Sequence, residues 1–322
     1  MILMKEVIAM IRFAVLGPGN ISHRFIKGCN EYKNAEATAF ASRTPAKVAD
    51  YAASVHVEKV YTYEDLYKDK EIDAVYISTP PFVHFQQIKA CLNAGKHVLC
   101  EKPLCETVEQ AKELFALAQE KHLVLMEAQK AVFLPVHTRI KEWLASGEFG
   151  TIYAADASFC RNHAASLPKD HWVYTMPCCG AMYDVGVYPL SVLLSLFPEP
   201  LKTVSRTDIF EDHCPVSSIV SMATEDNILL TARASITYEM DNELKIYAQN
   251  GTITSRDFWH SHTAEYELNG IKKSFNDIFE SEFSFEIQHF CSLIENGCHF
   301  SPIMSPEFSM KVLKIVSEQS AY

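Results

Sequence analysis

The feature that most constrains this chain is an alternation that runs from Arg12 to Ala128. Short apolar, β-branched runs lie at Arg12–Gly17, Ala35–Ser42, Ala74–Ser78, His97–Cys100 and Val124–Ala128. Helical patterns separate them, at Asn20–Tyr32, Pro45–Val55, Phe82–Ala94 and Val108–Lys121. Strands spaced by helices of roughly 10 to 15 residues build right-handed βαβ units on a parallel sheet. The runs are apolar throughout rather than at every second residue, as strands covered on both faces are. The pattern predicts a doubly wound α/β domain. The opening stretch is interrupted by Lys5, Glu6 and Arg12 and lacks a small-residue cleavage site, so it reads as the first strand behind a short extension.

After a helix at Pro135–Ser146 the apolar period changes to two. Thr151–Arg161, Val216–Ala223, Asn227–Tyr238, Glu243–Gln249, Thr252–Ser255 and Glu265–Leu268 read as strands, and Asn250–Gly251 and Asn269–Gly270 as tight hairpin turns. A long apolar helix spans Gly180–Phe197, and helices at Phe283–Glu295 and Pro306–Gln319 close the chain. A second α/β domain is expected, built on an open, mostly antiparallel sheet with helices over one face. The expected division is 1–127 and 128–322, with the closing helices placed to pack back on the first domain. A length of 322 residues suits two domains.

Charge and cysteine usage narrow the function classes. With 29 Lys+Arg against 40 Asp+Glu, the net charge of −11 argues against broad nucleic-acid binding. No apolar run is long enough to span a membrane. The ten cysteines include no C-x-x-C pair and fit no metal-ligand spacing, so reduced, buried thiols in a cytoplasmic protein without a metal centre are expected.

Gly17-Pro18-Gly19-Asn20-Ile21-Ser22 follows a strand and opens a helix, the context in which a glycine turn binds a dinucleotide. Gly17 permits the turn and Gly19 lets the backbone approach a pyrophosphate. The helix amides from Asn20 and Ile21 onwards then meet its charge. The second strand ends in Ala41-Ser42-Arg43-Thr44, without the carboxylate that would grip a ribose 2′-hydroxyl. Arg43 suits a 2′-phosphate and Ser42 adds a hydroxyl, so NADP is expected over NAD.

Two further segments are more specific. Ala94–Pro103 places Glu101-Lys102-Pro103 at the C-terminal end of a parallel strand, the edge where such sheets bind ligands. Gly180–Tyr188 puts Asp184 and Tyr188 four residues apart, on one face of a helix. With Ser78-Thr79-Pro80-Pro81 and His84 between the glycine turn and Glu101, the chain resembles the Gfo/Idh/MocA oxidoreductase family over nearly its whole length. Tyr188, Gly186–Leu190 and Phe258-Trp259 are similar to the dimeric dihydrodiol/D-xylose dehydrogenase branch.

The resemblance implies a nicotinamide-dependent reaction on a hydroxyl or carbonyl, commonly of a sugar or polyol. Lys102 matches the family's catalytic lysine and Tyr188 its proton donor or acceptor. Asp184 would orient the lysine or a sugar hydroxyl, while Thr79, Pro80, His84, Glu101 and Lys102 join the cofactor set. Trp172 and Trp259 are candidate pocket walls. Lys130 and Val132 stand where the dihydrodiol group has an aromatic and an arginine, so aromatic dihydrodiols are disfavoured and Lys130 becomes a substrate contact. Cys178 and Cys179 replace two glycines that relatives often carry before Gly180. The open sheet implies a homodimer or homotetramer. The alternatives are a nicotinamide-recycling hydrolase or epimerase and a non-catalytic dinucleotide sensor.

Overall fold

The computed structural model describes residues 10–163, 166–175 and 177–318. The expected N-terminal extension, residues 1–9, and Gln319 at the end of the last helix lie outside the described residues. The chain divides into two compact units, Met1–Ala128 with Glu280–Ser309, and Gln129–Phe279 with Met310–Tyr322.

The first unit alternates β1 (Ile11–Leu16), α1 (Asn20–Tyr32), β2 (Ala35–Ala41), α2 (Ala49–Ser54), β3 (Lys59–Tyr61), α3 (Tyr63–Lys68), β4 (Ala74–Ile77), α4 (His84–Asn93), β5 (His97–Glu101), α5 (Val108–Glu120) and β6 (Leu125–Ala128). The six strands run parallel in the order β3-β2-β1-β4-β5-β6. Chain order therefore reverses between β1 and β4, the point at which doubly wound sheets open a ligand crevice. The helix expected over Pro45–Val55 is a 3-10 turn at Pro45–Lys47 followed by α2. The short elements β3 and α3 carry too few residues to show a period of their own.

In the second unit come α6 (Pro135–Ala145), β7 (Ile152–Cys160), α7 (Val187–Leu196), β8 (Leu201–Glu211), β9 (Cys214–Thr224), β10 (Leu229–Ser235), β11 (Glu243–Ala248), β12 (Gly251–Arg256), β13 (Thr263–Leu268) and β14 (Ile271–Asn276). They form one sheet in the order β14-β13-β12-β11-β7-β10-β9-β8. Neighbours are antiparallel except β7 and β10, which run parallel. Helix α7 packs on β7 and β10, whose buried face carries Ala155, Ala157, Ala232 and Ala234. Small side chains let the helix lie close.

Two helices close the chain, α8 (Phe283–Glu295) and α9 (Pro306–Ser317). Helix α8 belongs to the first unit, where Phe290 meets Phe13 at 5.8 Å and Phe283 lies against Gly28 of α1. A Cβ on Gly28 would stand 2.8 Å from that of Phe283, so glycine permits this close crossing. No helix among the described residues is long and apolar enough to cross a membrane.

Candidate active site

In the first unit the predicted cofactor residues gather at the C-terminal ends of β1, β2, β4 and β5. Gly17 has φ +96°, and a Cβ there would stand 2.8 Å from the Ser78 carbonyl oxygen. Only glycine takes that conformation at that separation without strain. Ser78 ties the two loops together by donating to the carbonyls of Leu16 and Gly17, each at 2.9 Å. Gly19 is different: its φ of 162° suits any residue, and nothing lies within 4 Å of where its Cβ would be. Its side-chain position opens into space above the N-terminus of α1, where the first amides have no intrahelical partner. Asn20 and Ile21 are exposed and half-buried there. This is a cradle for phosphate, and the residues present fit a dinucleotide.

The edge of β2 supports the same reading. Arg43 is exposed, and the Ser42 hydroxyl accepts from the Thr44 amide at 3.2 Å. At the end of β5, Glu101 accepts from the Tyr76 hydroxyl at 2.5 Å, and the Lys102–Pro103 bond is cis. Glu127 of β6 is buried and accepts from the Leu104 amide at 3.1 Å, which fixes the turn behind Lys102. Burial pushes this carboxyl up to about 7. Thr79 donates to Gln87 at 2.5 Å.

His84 lies between the loops that carry Thr79 and Pro103. It is fully buried, with Nε2 2.7 Å from the Thr79 carbonyl and Nδ1 3.0 Å from that of Pro103. Each ring nitrogen faces a backbone carbonyl, so His84 braces the loops that carry Thr79, Pro80 and Lys102.

In the second unit Tyr188 and Lys130 come together. Both are buried, and the Lys130 Nζ lies 3.4 Å from the Tyr188 hydroxyl and 5.1 Å from its ring centre. Trp259 stacks on Phe159 at 3.7 Å, and Phe159 meets Tyr188 at 5.7 Å. Asp184 is held by His163, Nε2 to Oδ2, at 2.7 Å. Trp172 is half-buried on a 3-10 turn beside His171, with no contact of its own to Tyr188 among those described. The expected single helix over Asp184 and Tyr188 is a π-helical turn at Met182–Gly186 that passes into α7. Such turns recur at functional sites. Gly186 permits this one, since a Cβ there would press on Met182 and on Ala234 of β10.

Residues 11–129 match the model of an oxidoreductase family with an NAD-binding Rossmann fold, and residues 137–254 match the C-terminal domain of the same family. The chain belongs to the Gfo/Idh/MocA oxidoreductase family.

Gfo/Idh/MocA relatives similar to it include human trans-1,2-dihydrobenzene-1,2-diol dehydrogenase, 26% identical and covering 96% of this chain and 95% of the relative. A dTDP-3,4-didehydro-2,6-dideoxy-alpha-D-glucose 3-reductase from Saccharopolyspora spinosa is 30% identical, over 76% of this chain and 74% of its own. Among solved structures, a 3-ketoreductase from Actinomadura kijaniata in complex with NADP and TDP-benzene superposes with a TM-score of 0.84, at 25% identity over 95% of each chain. As a Gfo/Idh/MocA protein the chain is an oxidoreductase.

Two residues of this site escaped the sequence reading. His163 follows β7 and meets Asp184 from 21 positions away, and no spacing rule links them. Gln129 donates to Ser191 at 3.1 Å, one turn beyond Tyr188. Gln129 Oε1 and His163 Nδ1 are buried without hydrogen-bond partners among the described residues.

Proposed function

We propose that this chain is an NADP-dependent dehydrogenase or reductase that acts on a hydroxyl or carbonyl carbon of a small sugar, polyol or related compound, with Tyr188 as acid or base assisted by Lys102. The observation that carries the reading is the Tyr188 hydroxyl, buried and set against an ammonium at 3.4 Å. A phenol so placed can exchange a proton with a substrate oxygen.

The dinucleotide, when bound, supplies the hydride acceptor or donor. Gly17, Gly19, Asn20 and Ile21 would hold its phosphates. Ser42 and Arg43 would take the 2′-phosphate, and Thr79, Pro80, Glu101 and Lys102 would flank the reacting ring. Lys102 adds a positive charge that hydrogen-bonds the substrate oxygen. Asp184, fixed by His163, orients a second hydroxyl, while Trp172 and Trp259 wall the pocket. Relatives named as scyllo-inositol, D-xylose and dTDP-sugar enzymes support an oxygen-rich substrate.

The open sheet face supports a homodimer or homotetramer. Leu229 and Tyr247 flank Ala154 across β10, β7 and β11, and both are exposed. All ten cysteines are unbridged and nine are buried, which supports a reducing, cytoplasmic setting.

Fluorescence titration with NADPH and NADH tests the cofactor. NADPH should bind more tightly, and Arg43→Ala should remove about tenfold or more of that advantage, the worth of a charge-assisted contact. Tighter binding of NADH by the wild type would overturn the cofactor reading.

A further inference from the structure

A lysine seldom lies fully inside a protein unless its charge has a partner. Lys130 is 4% exposed. It stands on a 3-10 turn, Lys130–Phe133, that packs on α7 and aims the ammonium at Tyr188. The other elements against α7 present little competing charge. Strand β7 turns Ala155, Ala157 and Phe159 inward, and β10 turns Leu230, Ala232 and Ala234 inward, while Asp156 and Arg233 are exposed. From α6, His137 hydrogen-bonds Ser195 at 3.0 Å, two turns along from Tyr188. Asp184 of the π-helical turn is engaged by His163. Lys130 is thus a cation set directly against the phenol.

We propose that Lys130 sets the ionisation of Tyr188: its ammonium stabilises the phenolate, so that the tyrosine accepts a proton near neutral pH. The proposal rests on the reading of Tyr188 as acid or base and adds the residue that tunes it. An opposite charge within about 4 to 6 Å moves a partner's pKa by about 1 to 3 pH units towards the charged form. Low-dielectric surroundings strengthen the attraction. The proton given up by a substrate hydroxyl binds the Tyr188 oxygen and returns to the substrate in the reverse reaction. Lys130 keeps its own protons in both directions, so it acts through Tyr188.

Ultraviolet difference titration of tyrosine in the cofactor-free protein, with Tyr188→Phe as the blank, isolates this one phenol. Lys130→Met, of similar volume, should move its midpoint up by about 1 to 2 pH units. Lys130→Arg should hold it near the wild-type position, and the rising limb of kcat/KM for alcohol oxidation should follow each variant. Lys130→Gln replaces the Met variant if the latter does not melt like the wild type. A midpoint unmoved in a folded, uncharged variant would overturn the proposal. If Tyr188→Phe oxidises substrate at the wild-type rate, the acid–base reading fails instead, whatever the titration shows.

Discussion

Glu127 and Lys130 sit inside the fold as ionisable side chains. Glu127 accepts from the Leu104 amide, and burial lifts its carboxyl from about 4.5 to about 7. The fold thus favours the protonated form. Its contribution to stability is complete below about pH 4.5 and is lost as pH rises through about 7. Glu127→Gln keeps the acceptor and removes the charge. Its stability relative to wild type should therefore grow between pH 5 and pH 8, by up to about 3 kcal/mol in urea or thermal melts. A difference that stays constant across that range would contradict this account. At this scale the motifs were legible, because Gly17, Arg43, Lys102 and Tyr188 each stand at a fixed offset from a strand or helix end. His163 and Glu127 were not, because their partners are tertiary. Lys130 was singled out for its charge, but its burial and its partner are products of the fold.

Periodicity exposed most of the elements, and the strand β8 shows why it failed where it did. Its sequence LKTVSRTDIFE is polar at positions that face inward. Arg206 and Asp208 pair there at 2.8 Å with almost no exposure, and Asp208 also accepts from Ser218. The Arg206 guanidinium donates to the carbonyls of Ile315 and Val316 at 3.1 and 2.8 Å, capping the C-terminal end of α9. A strand whose inner face carries an ion pair has no apolar alternation to read. Removing one partner leaves a buried charge, so Asp208→Ala should cost about 3 to 5 kcal/mol. Denaturant melts measure this, and a loss under about 1 kcal/mol would show the pair to be dispensable. The π-helical turn was equally invisible, since Met182–Gly186 differs from an α-helix in hydrogen bonding rather than in composition.

The two-part architecture followed from the change of apolar period alone, and the family match supports both halves. Glu280–Ser309 returns to the first unit through Phe283 and Phe290, which meet Gly28 and Phe13. Oligomer order belongs to this scale as well. Light scattering at micromolar concentration should give two or four chains, and Leu229→Lys with Tyr247→Lys should shift the population towards one; a monomeric wild type would contradict the sheet-face reading. Tyr188 is proposed to move the proton in this nicotinamide-dependent oxidoreductase. The most direct test is single-turnover absorbance at about 340 nm, comparing wild type and Tyr188→Phe at saturating NADPH with a panel of keto-sugars and related carbonyl compounds. The variant should bind NADPH with unchanged affinity and lose about 100-fold or more in rate, the usual worth of a positioned acid or base. A variant that consumes NADPH as fast as the wild type would contradict the account.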